Sequence, residues 1–509
     1  MGNLSDVRIV LLQRKLFQGM PEGTVRGIWN ACEKAASYYD ADVLITFPVQ
    51  EEDQCGVFPC GSSQVHVDDS GKSVRLVCDA GTFVVGLGAP VEGCSFVVCA
   101  DGEPWTYDAV PANTFEFDVP HIIVRPVGQT NEGKDVRLYD GGSCAYAADG
   151  SLVCRLRDDF HEDAAAFSFG EAASVEGPCD RKLLRALVRG IRLFDDDVLG
   201  RVPWIIGLSG GLDSSVVAAL LARSVGPECM RAYNLATRFN SDATKGTAAA
   251  LAEALGVELR SGSIEKLVDA TGAVASEFGY GASDYAGLVL ENAQARIRGH
   301  LLSTFAAIEG GVVANNGNRV ECALGYATLY GDAIGALCPI ADLTKVQLFA
   351  LARDINEVYG HQVVPEALLP VETAEGYLWE TMPSAELSEG QRDPMKWFYH
   401  DWLVEKLLST PDLDANACAV LEAYCNGSLH DEVGKWVRFY GLDDPGAFID
   451  DLEWFIRNMR RATFKRLQAP PALRVSCLPQ PACVQGPSEP SRRYSALKAQ
   501  LLAAHSSNR

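Results

Sequence analysis

The sequence predicts an α/β protein built on a doubly wound parallel sheet, preceded by a smaller α/β domain. Three observations carry this. From residue 204 to about 355, short apolar strands alternate with helical stretches, the pattern of a parallel sheet covered by helices on both faces. The stretch WIIGLSGGLDSSVVAALLA (204–222) runs an apolar strand through Ser209-Gly210-Gly211 directly into helical spacing. Before it, residues 7–48 read as strand, helix, strand.

Taken in order, VRIVLLQ (7–13) and ADVLITFP (41–48) read as buried strands, with helical spacing over 22–39 between them, which makes a β-α-β unit. VRLVCDAGTFVVGLGAP and CSFVVCADGEPW alternate and are broken by glycine, as hairpins are. CAYAADGSLVCRL (144–156) is a sharper hairpin with Asp149-Gly150 at its turn. GEAASVEGPCD (170–180) reads as a linker, followed by a helix in RKLLRALVRGIRLFDDDVL. Residues 395–467 are mostly helical, and the Pro- and Ser-rich end reads as a mobile tail. The expected domains are 1–175, 176–475 and a tail over 476–509.

Composition narrows the function. A net charge of −23 disfavours nucleic acid as a partner, because such binding needs a basic field. No apolar run reaches about 18 residues, so no membrane partner is expected. The N-terminus lacks the pattern of a signal peptide, and Asp6 fills the position a myristoylation motif reserves for Ser or Thr. The expected location is the cytoplasm. The 16 cysteines include Cys55-x4-Cys60 and Cys94-x4-Cys99 but no CxxC, and read as small buried hydrophobes.

The loop at 209–215 carries the first chemistry. A glycine-rich turn between a parallel strand and a helix aims backbone N–H groups and the positive helix end at one point, where phosphate binds well. Small residues let the backbone close in. Asp213 approaches phosphate favourably only across a cation, which suggests Mg²⁺. The loop is neither of the Walker type nor GxGxxG.

Ser209-Gly210-Gly211-Leu212-Asp213-Ser214 resembles the Ser-Gly-Gly-x-Asp-Ser loop of the ATP pyrophosphatases, which cleave ATP between its α and β phosphates. LENAQARIRGHLL (290–302), NNGNRVECALGYATLYGDAIGALCPIADLTK (315–345), PSAELSEGQ (383–391) and FKRLQAPP (464–471) then resemble, in order, the blocks of the NAD synthetases. Over roughly 180–475 the chain is similar to the long, glutamine-dependent type. The resemblance implies an ATP-pyrophosphatase domain and a ligase that forms a C–N bond. The nicotinate carboxylate of deamido-NAD attacks the α-phosphate of ATP, pyrophosphate leaves, and ammonia converts the adenylate to NAD and AMP. It also implies a homodimer through this domain, or a larger assembly.

It implies roles as well. Ser209, Gly210, Gly211, Ser214 and Ser215 cradle the ATP phosphates, with Arg238 and Thr328 also on ATP. Asp213 and Glu321 hold Mg²⁺, and Lys345 lies near the phosphates. Asn292, Arg296 and Arg298 contact deamido-NAD; Asn292 and Arg296, at i and i+4, share a helix face. Lys465 and Arg466 resemble residues that reach a neighbouring subunit's dinucleotide.

The N-terminal domain resembles the family's nitrilase-like glutaminase, an α-β-β-α fold whose Glu-Lys-Cys set releases ammonia from glutamine, but in a reduced form. Where the family has Phe-Pro-Glu, this chain has Phe47-Pro48-Val49. Glu51 and Glu52 are offset, and a slip of two or three residues moves a carboxylate by roughly 6 to 10 Å along an extended chain. No cysteine has the Cys-Glu-Asp context of the nucleophile, and Lys72 and Lys134 lie outside the matching blocks. The expectation is a domain unable to hydrolyse glutamine, with nitrogen supplied as free ammonia or by a separate glutaminase partner. The alternatives are a site rebuilt on Cys55, Cys60, Cys78, Cys94 or Cys99, and a pseudoenzyme that binds nucleotide without turnover. Two further departures are Arg392-Asp393-Pro394 directly after Gln391, where the family has a longer loop, and Arg319 in place of a lysine.

Overall fold

Ile9, Val10 and Leu11 bury side chains on alternate faces, so the first strand lies between two apolar layers. The computed structural model describes residues 2–16, 21–48, 56–109, 117–170, 177–381, 386–388, 391, 393–479 and 490–507. The chain forms two compact units, Met1–Phe194 with Arg474–Ser476, and Asp195–Leu473 with Cys477–Arg509.

The first unit runs β1 (Ile9–Gln13), α1 (Pro21–Tyr38), β2 (Val43–Thr46), β3 (Val57–Pro59), β4 (Gln64–Val67), β5 (Ser73–Cys78), β6 (Gly81–Leu87), β7 (Phe96–Ala100), β8 (His121–Val124), β9 (Val127–Glu132), β10 (Asp135–Asp140), β11 (Cys144–Tyr146), β12 (Leu152–Arg155), β13 (Asp163–Phe167) and α2 (Lys182–Phe194). One sheet has the order β13-β1-β2-β3 and a second has β12-β11-β8-β7-β6-β5-β4. β1 and β2 pair in parallel across α1, as the β-α-β reading expects. On one face Val10, Leu44 and Phe58 pack against Ile28 and Cys32 of α1. On the other, Ile9, Leu11, Val43 and Ile45 meet Val74, Leu76, Phe83, Val98 and Ile122 of the second sheet. Helix, sheet and sheet thus stack as layers. The hairpin at 144–156 forms as expected, with Gly150 at φ +79° and Asp149 accepting from Ser151 N–H at 2.9 Å.

One strand differs from its sequence reading. CSFVVCADGEPW does not fold as a hairpin. Its strand β7 pairs in parallel with both β6 and β8. Parallel neighbours ordinarily need a crossover of a dozen or more residues, usually a helix; here residues 88–95 alone connect β6 to β7.

The second unit runs β14 (Trp204–Gly207), α3 (Leu212–Val225), β15 (Met230–Ala236), α4 (Asp242–Leu255), β16 (Leu259–Ser263), α5 (Glu265–Glu277), α6 (Leu288–Glu309), β17 (Val312–Val313), α7 (Arg319–Leu324), α8 (Lys345–Tyr359), α9 (Tyr399–Leu407), α10 (Leu413–Asn426), α11 (Ser428–Phe439), α12 (Pro445–Arg461), α13 (Thr463–Arg466) and α14 (Arg492–Ser507). Its sheet is parallel, in the order β16-β15-β14-β17. The direction of winding reverses between β14 and β17, and the crevice at the carboxyl end of such a switch point is where open α/β sheets bind ligands. α3 is apolar nearly all round, and Val216, Val217, Leu220 and Leu221 are fully buried beside the sheet. The expected mobile tail is in part a packed helix. Tyr494 of α14 is buried, Ser491 N–H bonds Asp414 at 3.1 Å, and Lys498 reaches Glu453 at 2.5 Å. Among the described residues, no helix is long and apolar enough to cross a membrane.

Candidate active site

The loop after β14 turns on Gly210. Its φ is +86°, and a Cβ there would stand 2.1 Å from the carbonyl oxygen of Thr244. Glycine is therefore required twice, for the left-handed backbone and for the close approach of α4. Ser209 and Ser214 join hydroxyls at 3.1 Å, and Ser209 Oγ accepts from Gly211 N–H at 3.2 Å, which ties the loop to the first turn of α3. Ser215 lies beneath it, fully buried, and braces the loop by donating to the Gly211 carbonyl at 2.8 Å.

Asp213, on that first turn, meets two other elements. Lys345, first residue of α8, puts Nζ 2.7 Å from both Asp213 carboxylate oxygens and 3.9 Å from Glu321 of α7. Asn318 caps α7: Oδ1 accepts from Val320 and Glu321 N–H, and its own N–H donates to Glu321 Oε2 at 3.2 Å. Its Nδ2 donates to Asp213 Oδ2 at 3.2 Å, so one residue, through its backbone N–H and its side chain, orients both carboxylates. Burial, then the Asp213 carboxylate, push Glu321 well above the ordinary carboxylate range. Burial disfavours the Lys345 ammonium, but Asp213 and Glu321 outweigh it and raise the group. Asp393 adds further negative charge beside Glu321 and Lys345. Two part-buried carboxyl groups face one ammonium, and this donor set suits Mg²⁺, which binds through one or two carboxylates plus substrate phosphates. Among the described residues, no group of three or more His, Cys, Asp and Glu could hold a metal by itself.

A second cluster lies on α6. Gly299 lets the backbone of Tyr330 and Gly331 press onto that helix; a Cβ there would be 2.4 Å from the Gly331 carbonyl. The 325–332 segment therefore packs along α6. Thr328 Oγ1 donates to Asn292 Oδ1 at 2.7 Å, and Arg296, exposed on the same face, reaches the Leu329 carbonyl at 3.4 Å. Lys465 donates to the carbonyls of Gly325 and Ala327 at 2.8 and 2.7 Å. Asn292, Arg296, Thr328 and Lys465 thus share one segment. Thr328, expected on ATP, is hydrogen-bonded to Asn292, expected on the dinucleotide.

Three basic residues are engaged by groups of the chain itself. Arg238 leaves the end of β15 but pairs with Glu265 at 2.5 Å and Asp269 at 3.2 Å. Arg298 does not join Asn292 and Arg296. It turns to the end of β15, donating to the Leu235 carbonyl at 3.0 Å and to Asn240 at 3.3 Å, and burial lowers it to about 10. Arg466 is buried and donates to the carbonyls of Ala323 and Met459 at 2.7 and 2.6 Å, closing the end of α7 within its own chain. Arg319 is likewise structural, fully buried against Asp342.

Glu386 and Ser388 link the α4 side of the phosphate loop to α6. Glu386 accepts from Thr244 at 2.8 Å and Asn240 at 3.3 Å, while Ser388 donates to Glu291 of α6 at 2.8 Å. Glu386, Asn318, Trp397 and Asp401 were not singled out in the sequence. Asn318 could have been, since Asn-Arg-Val-Glu spells a capping box.

In the first unit, the described candidate thiols are engaged or suppressed. Cys94 donates to the Phe96 carbonyl at 2.9 Å. Cys99 is pushed up to about 11 by burial, and burial also raises Cys78. Cys60 is buried and hydrogen-bonded with Cys32, which lowers it. Val49, Glu51, Glu52 and Cys55, like Arg392, lie outside the described residues.

Comparison with known proteins gives a consistent picture. The family described as NAD synthase matches residues 199–411. The chain is 36% identical over 289 residues to the glutamine-dependent NAD(+) synthetase of Synechocystis sp., covering 54% of this chain and 48% of that protein. It is 34% identical over 241 residues to the NH(3)-dependent NAD(+) synthetase of Chlorobium phaeobacteroides, covering 46% of this chain and 76% of that protein. The chain spans about half the length of the glutamine-dependent relatives it matches. Its fold is that of the glutamine-dependent NAD(+) synthetase of Cytophaga hutchinsonii, at a TM-score of 0.67 and 15% identity over 97% of this chain and 99% of that one.

Proposed function

The chain belongs to the NAD synthetase family, and from that premise we propose that it uses ATP to amidate deamido-NAD to NAD, with ammonia as the nitrogen source. The observation that carries the proposal is the junction of Lys345 with Asp213 and Glu321 at the head of the phosphate loop.

The loop N–H groups and the hydroxyls of Ser209 and Ser214 bind the departing pyrophosphate at the start of α3. Lys345 exchanges Asp213 for a phosphate oxygen and neutralises charge as the leaving group departs. Asp213 and Glu321 would hold Mg²⁺, which would supply charge screening for the phosphates. Asn292, Arg296, Thr328 and Lys465 orient deamido-NAD so that its nicotinate carboxylate faces the α-phosphate. Ammonia then attacks the acyl-adenylate and AMP leaves. No protein nucleophile is needed; the chain supplies position and charge.

Ammonia is favoured over glutamine by the first unit. A glutaminase of this kind needs a thiolate activated by lowered pKa or an adjacent base. Cys99 and Cys78 are instead raised, and Cys60, which is lowered, owes this to the hydrogen bond with the buried Cys32 thiol rather than to a base. The reading includes a cytoplasmic homodimer formed through the second unit, where Phe278, Tyr280, Leu288 and Val289 are 78%, 61%, 71% and 53% exposed.

The test is pyrophosphate release from ATP with Mg²⁺ and ammonium, with and without deamido-NAD. Release that requires deamido-NAD supports the proposal. Nucleotide binding without release would make the chain a pseudoenzyme.

A further inference from the structure

The segment Trp397–Asp401, where α9 begins, takes hold of Lys345 at both ends of that residue. Asp401 is buried, and its Oδ1 accepts the backbone N–H of Lys345 at 2.7 Å across 56 residues of sequence. Its Oδ2 accepts Phe398 N–H at 2.6 Å, and Phe398 has φ +70°, a conformation its bulky side chain disfavours. At the other end, the Lys345 ammonium lies 4.9 Å from the centre of the Trp397 ring. The carboxylate thus sits at the N-termini of both α8 and α9, where two helix dipoles favour negative charge. Burial pushes Asp401 up to about 6, against the pull of the N–H groups of Phe398 and Lys345. Lys345 opens α8, so its N–H is one of the donors a helix start leaves without an internal partner, and Asp401 satisfies it.

We infer that Asp401 is a positioning residue for the synthetase reaction: it fixes the backbone of Lys345 so that the ammonium is delivered, through side-chain torsions alone, from Asp213 to a phosphate of ATP. The inference rests on the function proposed above, in which Lys345 meets the phosphates. Asp401 touches no substrate in this scheme and acts only through Lys345. Asparagine in its place keeps one acceptor oxygen but turns an N–H₂ group toward the second backbone N–H, so one of the paired bonds is lost.

The test is a double-mutant cycle read by calorimetric binding of the non-cleavable analogue adenosine 5′-(α,β-methylene)triphosphate with Mg²⁺, with thermal melts as the check on folding. Asp401→Asn is expected to weaken binding about tenfold in the wild-type background and to change it less than twofold in a Lys345→Ala background. In the full reaction, Asp401→Asn should lower kcat more than it raises KM for ammonium. Equal weakening in both backgrounds would make Asp401 merely structural, and no weakening in the wild type would overturn the inference. Should Asp401→Asn fail to fold, Asp401→Glu, which keeps the charge but displaces it by one methylene, is read in the same cycle. If the wild type binds no analogue, the functional reading fails by itself. The positioning claim is then decided by a crystal structure of the variant, where Lys345 Nζ still within 3 Å of Asp213 overturns it and a displaced Nζ supports it.

Discussion

Lys345 Nζ stands 2.7 Å from each carboxylate oxygen of Asp213, although the two residues lie 132 positions apart. The pair joins the phosphate loop to the start of α8, and the ammonium is nearly inaccessible, with a side-chain exposure of 3%. Removing one member of a buried pair leaves a charge with no partner, at a cost of about 3 to 5 kcal/mol.

Lys345→Met should therefore lower the NAD-forming kcat by about 10²-fold or more, and lower the unfolding midpoint as well. Adding Asp213→Asn to it should restore part of the stability and none of the activity. Steady-state pyrophosphate assays and thermal melts on the single and double variants check this.

Gly210→Ala tests the loop. The new methyl would meet the Thr244 carbonyl at 2.1 Å with φ at +86°. The expected result is a loss of about 1 to 3 kcal/mol of stability together with weakened binding of ATP. Calorimetric titration with ATP and Mg²⁺ gives the affinity, and denaturant unfolding gives the stability.

The pH dependence of stability should bear the mark of His400. The imidazole is fully buried, its Nε2 lies 3.0 Å from Asp451 Oδ2, and its Nδ1 accepts from Lys396 N–H at 2.9 Å. Burial holds it below its ordinary value of 6.5, although Asp451 pulls the other way. With the folded-state value depressed, the contribution is complete above the unfolded value and declines as pH falls through it, because the unfolded chain takes up a proton the folded one refuses. Between pH 7 and 5 the wild type should lose stability that His400→Gln does not, narrowing the gap between them by on the order of 1 kcal/mol. Denaturant unfolding over that range measures it.

The exposed apolar residues of the α5–α6 region predict an oligomer. Sedimentation should give a dimer or larger species for the wild type, and Leu288→Asp with Phe278→Ser should shift it toward monomer. A wild type that is monomeric at micromolar concentration would remove the dimer from the reading.

Much of the second unit was legible because its signals are local. Strand, Gly-Gly loop and apolar helix follow directly at 204–222, and they fold as the periodicity says. Asp213, Glu321 and Lys345, which the family resemblance assigned to one site, do converge. Asp401 and Trp397 were illegible because their partner lies far away in sequence, and nothing local marks an aspartate that caps another helix. Arg298 and Arg466 sit within matching blocks, and carbonyls of their own chain engage them, a contact no local signal in the sequence marks. β7 was misread because alternation fixes which faces a strand presents, not whether its neighbours run parallel to it.

The source of the nitrogen that enters NAD separates an ammonia-using enzyme from a glutamine-using one. Purified protein with ATP, Mg²⁺ and deamido-NAD can be supplied with either ¹⁵N-ammonium or amide-¹⁵N-glutamine, and the label in NAD followed by mass spectrometry. Labelled NAD from ammonium, and only background from glutamine, is the predicted result. Comparable labelling from glutamine alone, abolished by a thiol alkylator, would contradict it.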